Sequence, residues 1–260
     1  MPDQDARPRD LRQRIRNGER LIGTFLKARD PAVAETLAIA GYDFVVADLE
    51  HSPLSVGDVE GITRACDCHD VPVIARIPAS GLGLCGRLLD VGVTGIQVSD
   101  VTSAATAKAV RAVAHYPPAG TRSLSTTTRA ARFGAVPAAA HVAAARAETV
   151  LIGQIESPQG LEAINQVIQS VVFDALFIGP SDLSATLERP GDFEHPSVAE
   201  AITRAADSVL SGGIPLGMFF PGTEAAQRWA RHGMTLLVIS TDLSMLSAAA
   251  RSALAAFREL

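Results

Sequence analysis

The chain has 260 residues, of which 47% are hydrophobic, and its formal net charge at pH 7 is −5. This length and composition fit one globular domain with a sizeable core. The negative charge, with both signs interspersed along the chain, argues against a nucleic-acid-binding or anionic-membrane-binding surface and favours a small-molecule partner.

Residues 1–10, "MPDQDARPRD", are polar and contain two prolines, so we expect a disordered tail followed by a single domain over 11–260. The tail lacks the apolar segment of a signal peptide. No apolar run approaches the roughly 20 residues that cross a bilayer. We therefore expect a cytoplasmic protein.

Eight short apolar runs alternate with segments of helical period, a pattern typical of parallel strands covered by helices. The predicted strands are 21–27, 43–50, 72–78, 95–101, 149–157, 175–183, 215–221 and 236–243. The predicted helices are 31–40, 56–69, 82–91, 103–115, 159–170, 197–211, 223–232 and 243–259. Eight such units in about 240 residues predict an α/β fold of the TIM (β/α)8 barrel type.

Two other features refine this prediction. The chain has no Gly-x-Gly-x-x-Gly turn after its first strand and no Walker A sequence, which excludes the common dinucleotide and P-loop sites. The long connection at 116–148 is expected to be either functional or disordered.

The carboxyl ends of the predicted strands carry many polar residues, and TIM-barrel active sites form at these ends. The residues are Asp48, Glu50, His51, Arg76, Ser99, Asp100, Gln154, Glu156, Ser181, Asp182 and Asp242. The sequence therefore predicts an active site among them.

Glu156 and Asp182 each follow an apolar run, at the ends of neighbouring predicted strands. Two carboxylates in a partly buried site repel each other unless a proton or a cation intervenes. Oxygen ligands without His or Cys favour Mg²⁺ or Mn²⁺. The alternative is that each acid caps a helix or pairs with an arginine.

Arg76 alternates with its apolar neighbours and is expected to point into the barrel mouth, where it would hold a carboxylate or an enolate oxygen. The alternative is an internal ion pair with a strand-end acid. His51 lies three residues after Asp48, whose carboxylate could orient the imidazole for proton transfer, although a structural histidine is also possible. Glu50, placed on the same strand face as Asp48, is interpreted as an orienting group.

The motifs "GYDFVVADLEHSP", "PVIARIP", "YPPAGTR", "GQIESPQGLEAINQV" and "DALFIGPSDLSATL" together resemble the HpcH/HpaI family of metal-dependent class II pyruvate aldolases, over residues 19–250. The resemblance implies that Glu156 and Asp182 bind the metal, which would be Mg²⁺, Mn²⁺ or Co²⁺. It also implies that Arg76 holds the pyruvyl oxygens, that His51 with Asp48 moves the proton of the aldol hydroxyl, and that the substrate contacts are Gln154, Gly179, Pro180 and Ser181.

The same resemblance implies a TIM barrel whose last helix is exchanged between subunits, within a homo-hexamer built as a trimer of dimers. The chain departs from the family pattern at Ser99 and Asp100, where proline and an apolar residue are usual, and at Ser123 after Arg122. Asp100 could repel an acidic acceptor, select a basic or polyhydroxylated one, or cap a helix. Arg122 is a further candidate residue without an assigned role.

The implied reaction is the reversible cleavage of a 4-hydroxy-2-oxo acid to a pyruvate enolate and an aldehyde, and a cation and Arg76 would stabilise the charge of the enolate. Two alternatives remain open. One is an enolate-condensing synthase of the same family, such as a citrate-forming enzyme of siderophore assembly. The other is a non-catalytic barrel that binds an oxo acid.

Overall fold

The computed structural model describes residues 11–258, and these form a closed barrel of eight parallel strands. The strands are β1 (Leu21–Leu26), β2 (Phe44–Asp48), β3 (Val73–Pro78), β4 (Gly95–Ser99), β5 (Val150–Ile155), β6 (Ala175–Ile178), β7 (Leu216–Phe220) and β8 (Leu236–Thr241). Each strand pairs with the next in sequence, and β8 pairs with β1. The predicted TIM barrel is confirmed. The expected disorder of residues 1–10 lies outside the described residues.

The described part of the chain contains eleven α-helices, three more than predicted. They are α1 (Leu11–Arg16), α2 (Pro31–Ile39), α3 (Val56–Asp67), α4 (Cys85–Asp90), α5 (Ala104–Ala114), α6 (Ala138–Glu148), α7 (Pro158–Gln169), α8 (Pro180–Thr186), α9 (Pro196–Ser211), α10 (Thr223–Arg231) and α11 (Asp242–Arg258). Short 3-10 segments occupy Ala79–Leu84 and Arg129–Gly134. Within residues 11–258 we find no helix both long and apolar enough to cross a membrane.

The helices that follow β1 and β5 each begin with a capping side chain followed by a proline. Asp30 accepts a hydrogen bond from the backbone N–H of Ala32, at 2.9 Å, and Pro31 is the first residue of α2. Ser157 caps α7 in the same way, accepting from the N–H of Gly160 at 3.3 Å. These caps satisfy backbone donors that a helix leaves unpaired at its start.

Apolar side chains fill the barrel interior and the layer between the strands and the helices. The interior cluster includes Phe44, Ile74 and Phe177, and α1 adds Leu11 and Ile15 to it. Because Leu11 and Ile15 are each 1% exposed, α1 closes the amino-terminal end of the barrel. The carboxyl end remains available for polar residues.

Candidate active site

Asp48 and Arg76 form a buried ion pair at the carboxyl end of the barrel. They are directly opposite each other in the register of β2 and β3. Arg76 donates from Nε to Oδ1 at 2.9 Å and from Nη2 to Oδ2 at 2.7 Å, a two-pronged geometry that fixes both groups. Asp48 is 0% exposed and Arg76 is 7% exposed. Burial alone would raise the pKa of Asp48, but the hydrogen bonds and charge of Arg76 bring it below the usual value.

Each member of this pair makes one further contact that involves a cation. Lys27 Nζ lies 3.4 Å from Asp48 Oδ2. The Arg76 guanidinium carbon stacks 4.3 Å from the centre of the Phe25 ring, a favourable cation–π contact. The bonds to Asp48 use two of the five N–H donors of Arg76, so its Nη1 group can still bind a substrate oxygen.

The predicted support of the His51 ring by Asp48 differs from what the structure shows. Asp48 Oδ1 accepts hydrogen bonds from the backbone N–H groups of Glu50 and His51, both at 3.1 Å, while its remaining capacity faces Arg76 and Lys27. The carboxylate beside the imidazole belongs to Glu50, whose Oε2 is 4.0 Å from His51 Nε2. The His51 side chain is about half exposed, so it can reach a ligand in the mouth.

Glu50 lies in the loop after β2, not on the strand face with Asp48 as predicted, because the strand ends at Asp48. Ser99 donates from Oγ to Glu50 Oε1 at 2.5 Å. Glu50 Oε2 is buried and has no hydrogen-bond partner within the described chain, although Arg76 Nε is 3.6 Å away. Buried carboxylate oxygens without a hydrogen bond are uncommon and often mark functional sites.

Glu156 follows β5 directly and is 6% exposed. Its Oε1 accepts a hydrogen bond from the backbone N–H of Asp100 at 2.9 Å, and its Oε2 accepts one from Gln154 Nε2. Burial raises the pKa of Glu156 to about 7, the charges of Asp182 and Glu50 add to the rise, and the two hydrogen bonds oppose it. The site therefore holds an acid that favours either a proton or a nearby cation near neutral pH.

The segment Gly179–Asp182 adjoins Glu156 at the end of β6. This strand ends at Ile178, so Pro180, Ser181 and Asp182 lie in the first turn of α8 and not on a strand as predicted. A Cβ atom on Gly179 would collide with Glu156 Oε2, so a larger residue there would have to displace the Glu156 side chain. Asp182 is exposed, and its charge acts on Glu156.

A divalent cation fits the chemistry of these donors. Within residues 11–258, no three His, Cys, Asp or Glu side chains are arranged to hold a metal ion, so protein ligands would supply only part of a coordination shell. Carboxylates outnumber cations among the described residues of the mouth. Arg76 and Lys27 pair with Asp48, and Arg76 lies near Glu50, whereas the carboxylates that act on Glu156 are those of Glu50 and Asp182. Such an excess of oxygen ligands and negative charge is what Mg²⁺ and Mn²⁺ prefer.

Sequence reasoning missed Gln97, which is 1% exposed on β4. Its Nε2 donates to Gln154 Oε1, and Gln154 in turn donates to Glu156, so a chain of two amides fixes this carboxylate. The signal is present in "GIQVS", where Gln97 and Ser99 alternate with apolar residues and therefore share the inward face of β4.

Two of the remaining candidates, Asp100 and Asp242, have structural partners. Asp100 adopts a left-handed conformation with a φ of 48°, and its Oδ1 accepts from Ser157 Oγ at 2.7 Å, which supports the cap of α7. Asp242 accepts from the backbone N–H groups of Lys27 and Ala28. Ser123 is exposed.

Arg122 is separate from the active site. It donates to Asp90 Oδ1 at 2.6 Å and stacks on Tyr116 at 4.5 Å. Asp90 is the last residue of α4, at the amino-terminal end of the barrel, so Arg122 lies away from the strand-end acids.

Comparisons with known proteins agree with the barrel fold. The model of the HpcH/HpaI aldolase/citrate lyase family matches residues 21–249. A "Hydroxypyruvate/pyruvate aldolase" from Paraburkholderia phytofirmans is 34% identical over 94% of this chain and 95% of its own. A crystal structure of a family protein from Burkholderia cenocepacia is 32% identical, with a TM-score of 0.90 over 96% of this chain and 99% of that one. A citrate synthase crystal structure is 25% identical, with a TM-score of 0.86 over 96% and 97%.

The family match spans nearly all of the barrel, including every strand-end residue described above. The chain belongs to the HpcH/HpaI aldolase/citrate lyase family.

Proposed function

We propose that this protein is a carbon–carbon lyase that reversibly cleaves a 4-hydroxy-2-oxo acid into pyruvate and an aldehyde. The observation that carries the proposal is that the buried Asp48–Arg76 pair and the buried Glu156 lie at the same, carboxyl end of the barrel. Relatives with aldolase names support the reaction class over nearly the full chain.

Glu156 and Asp182 would hold the divalent cation, with Mg²⁺ or Mn²⁺ as the first candidates and Co²⁺ as a third. When bound, this cation would stabilise negative charge on the oxo-acid oxygens. Gln154 fixes one Glu156 oxygen and the Asp100 N–H fixes the other, so the carboxylate enters the reaction already oriented. The backbone of residues 179–181 would contact the substrate.

Arg76 would bind a pyruvyl oxygen through Nη1 while Asp48 holds its other edge, so the guanidinium is positioned before substrate arrives. Proton transfer would fall to His51, whose exposed ring can take the proton of the C4 hydroxyl, directly or through one water. The C3–C4 bond then breaks, the aldehyde leaves, and a proton returned to C3 gives the pyruvate methyl group. Glu50, at 4.0 Å from the ring, would orient His51 in the role predicted for Asp48.

The test is exchange of the pyruvate methyl protons in deuterated water, followed by NMR with Mg²⁺, Mn²⁺ or Co²⁺ present. The wild-type protein should exchange them, and His51→Ala should exchange them far more slowly. If neither protein exchanges, a barrel that binds an oxo acid without catalysis becomes the better interpretation. A panel of aldehydes offered with pyruvate would then identify the acceptor.

The 25% identical citrate synthase structure favours one rival function. An assay with oxaloacetate and acetyl-CoA as substrates distinguishes the synthase from the aldolase. Formation of citrate, without cleavage of any 4-hydroxy-2-oxo acid, would replace the aldolase proposal by the synthase.

We also propose that the protein is a homo-oligomer in which α11 packs on a neighbouring subunit, as in a hexamer built from dimers. Of the 17 residues of α11, Asp242 is its one buried residue, and Leu246, Leu254 and Phe257 are 66%, 55% and 75% exposed. Exposed apolar side chains on one helix commonly mark an interface. Light scattering coupled to size-exclusion chromatography tests the assembly, and Leu246→Glu should dissociate it.

A further inference from the structure

A cavity lies at the end of the barrel opposite the candidate active site. Its volume is about 540 Å³. Val93 and Thr94, directly before β4, and Thr149, directly before β5, form part of its wall. These residues are at the amino-terminal ends of strands, whereas Glu156 and Gln154 are at the carboxyl end of β5. The two sites are therefore separated by the barrel itself.

Four arginines line this cavity, which we call the arginine cavity: Arg64, Arg122, Arg129 and Arg132. The acids in its lining are Asp67 and Glu148. Arg129 pairs with Asp67, Arg122 with Asp90 and Arg64 with Glu60, so much of the positive charge is already balanced. Each guanidinium has five N–H donors, however, and one carboxylate uses at most a few of them. Donors for oxygen atoms of a ligand remain in the wall.

Arg122 provides the more specific observation. Its side chain is 3% exposed, and its Nε atom is buried with no hydrogen-bond partner within the described residues. Stacking on Tyr116 and the bond to Asp90 hold the guanidinium in place. A buried, charged N–H donor without an acceptor is costly to the fold, so its retention points to an acceptor that binds there.

Thr128 shows a similar feature beside the cavity. Its Oγ1 is buried and has no hydrogen-bond partner in the described part of the chain, and the next residue, Arg129, lines the cavity. Arg129 itself is anchored by a hydrogen bond to Val91 O at 3.0 Å. Two unsatisfied polar groups thus lie in or next to one cavity whose wall is rich in guanidinium groups.

We propose that the arginine cavity binds a small anionic metabolite through its oxyanion group, either a phosphate ester or a dicarboxylate. Guanidinium groups match the paired oxygens of phosphate and carboxylate. The volume is in the range of small-molecule sites. This site is independent of aldol chemistry, because none of its lining residues belongs to the candidate active site.

Isothermal titration of the full-length protein with Mg²⁺ present tests the proposal, using inorganic phosphate and malonate as separate probes at constant ionic strength. At least one probe should bind with a dissociation constant in the range of about 0.1–10 mM. Binding of phosphate alone assigns a phosphate ester, and binding of malonate alone assigns a dicarboxylate.

Arg122→Gln and Arg64→Gln should each weaken that binding roughly 10-fold or more, the usual effect of losing a charge-assisted hydrogen bond. Arg64 is on the exposed face of α3, paired with Glu60, so its replacement tests the site even if Arg122→Gln does not fold. Arg228→Gln, an exposed arginine of α10 paired with Glu194, is the matched control and should bind as wild type does. No binding of either probe up to about 20 mM, or equal affinity in all variants, would overturn the proposal.

Discussion

Replacing Glu156 by glutamine should stabilise the metal-free protein at alkaline pH while removing a proposed metal ligand. The carboxylate is buried, and within the described residues its hydrogen-bond donors, Gln154 and the Asp100 N–H, are uncharged. Glutamine has nearly the same shape and carries no charge. The substitution therefore isolates the cost of burying the ionised form.

The magnitude follows from the pKa of Glu156, which is about 7 in the folded protein against an ordinary value of 4.5 for a glutamate in water. Because the folded value is the higher one, the protonated group favours folding. This contribution is fully present below pH 4.5 and is lost as pH rises through 7. Ionisation should then lower the free energy of unfolding by about 1 kcal/mol at pH 5 and about 3 kcal/mol at pH 8.

Glutamine avoids this loss but can accept only one of the two hydrogen bonds, which costs about 1 kcal/mol. Glu156→Gln should therefore be about 2 kcal/mol more stable than wild type at pH 8 and about equal to it at pH 5. Glu162, an exposed residue of α7, provides the control substitution, which should change little at either pH.

Urea unfolding in EDTA at both pH values measures the difference, and added Mn²⁺ gives the second half of the test. Saturating Mn²⁺, at about 100 times its dissociation constant, should stabilise wild type by about 3 kcal/mol and leave Glu156→Gln nearly unchanged. A variant that is less stable than wild type at pH 8 would refute the argument that this buried charge opposes folding. An equal response to Mn²⁺ in both proteins would refute the metal-ligand role.

Three other substitutions test the remaining parts of the site. His51→Ala should lower kcat for aldol cleavage roughly 100-fold or more without changing Mn²⁺ affinity or the melting temperature, because the ring is half exposed; a steady-state assay and a thermal scan measure this. Arg76→Lys should lose about 3 kcal/mol of unfolding free energy and raise KM for pyruvate, since lysine cannot make the two-pronged bond to its buried partner; urea unfolding and kinetics would show it. Gly179→Ala should weaken Mn²⁺ binding at least about 10-fold in titration calorimetry by displacing Glu156, whereas Gly86→Ala, with open space around its Cβ, should not.

The sequence predicts the barrel well because each strand is a separate apolar run bounded by glycine or proline. It predicts element ends poorly where apolar residues continue past the strand. The run at 175–183 predicts one strand, but the chain turns at Gly179 and Leu183 is buried on α8. The segment "AAAHVAAARAE" forms α6, yet its near-uniform alanine content carries no periodic signal.

For the site, the sequence places Asp48, Arg76 and Glu156 at or next to the carboxyl ends of strands, as the structure does, but it misassigns one contact. Asp48 is three residues from His51 and 28 from Arg76, so sequence spacing favours the histidine. The parallel register instead places Asp48 opposite Arg76 on the neighbouring strand. Contacts of this kind depend on strand alignment, which no local pattern reveals.

The buried acids Asp48 and Glu156 differ in whether the fold supplies a positive charge next to them. Asp48 has a guanidinium within hydrogen-bond distance, so its charge is neutralised by the fold itself. Glu156 has only uncharged hydrogen-bond donors in the described chain, and its burial therefore opposes folding above its pKa. A fold retains such a group when a ligand supplies the missing charge, and this is why Glu156 is the stronger candidate for a cation ligand.

Ser99 extends this reasoning to one of the departures from the family pattern. A proline at this position has no hydroxyl and could not donate to Glu50 Oε1, which Ser99 does at 2.5 Å. In this chain Glu50 is therefore fixed by a neutral donor, while its Oε2 stays 3.6 Å from Arg76 and 4.0 Å from His51. Ser99 thus contacts Glu50, the acid that lies between His51 and Arg76. We therefore expect Ser99→Pro to change His51-dependent proton exchange more than Mn²⁺ affinity. Deuterium exchange into pyruvate, measured beside Mn²⁺ titration, distinguishes the two effects, and an unchanged exchange rate would show that Ser99 only fills space.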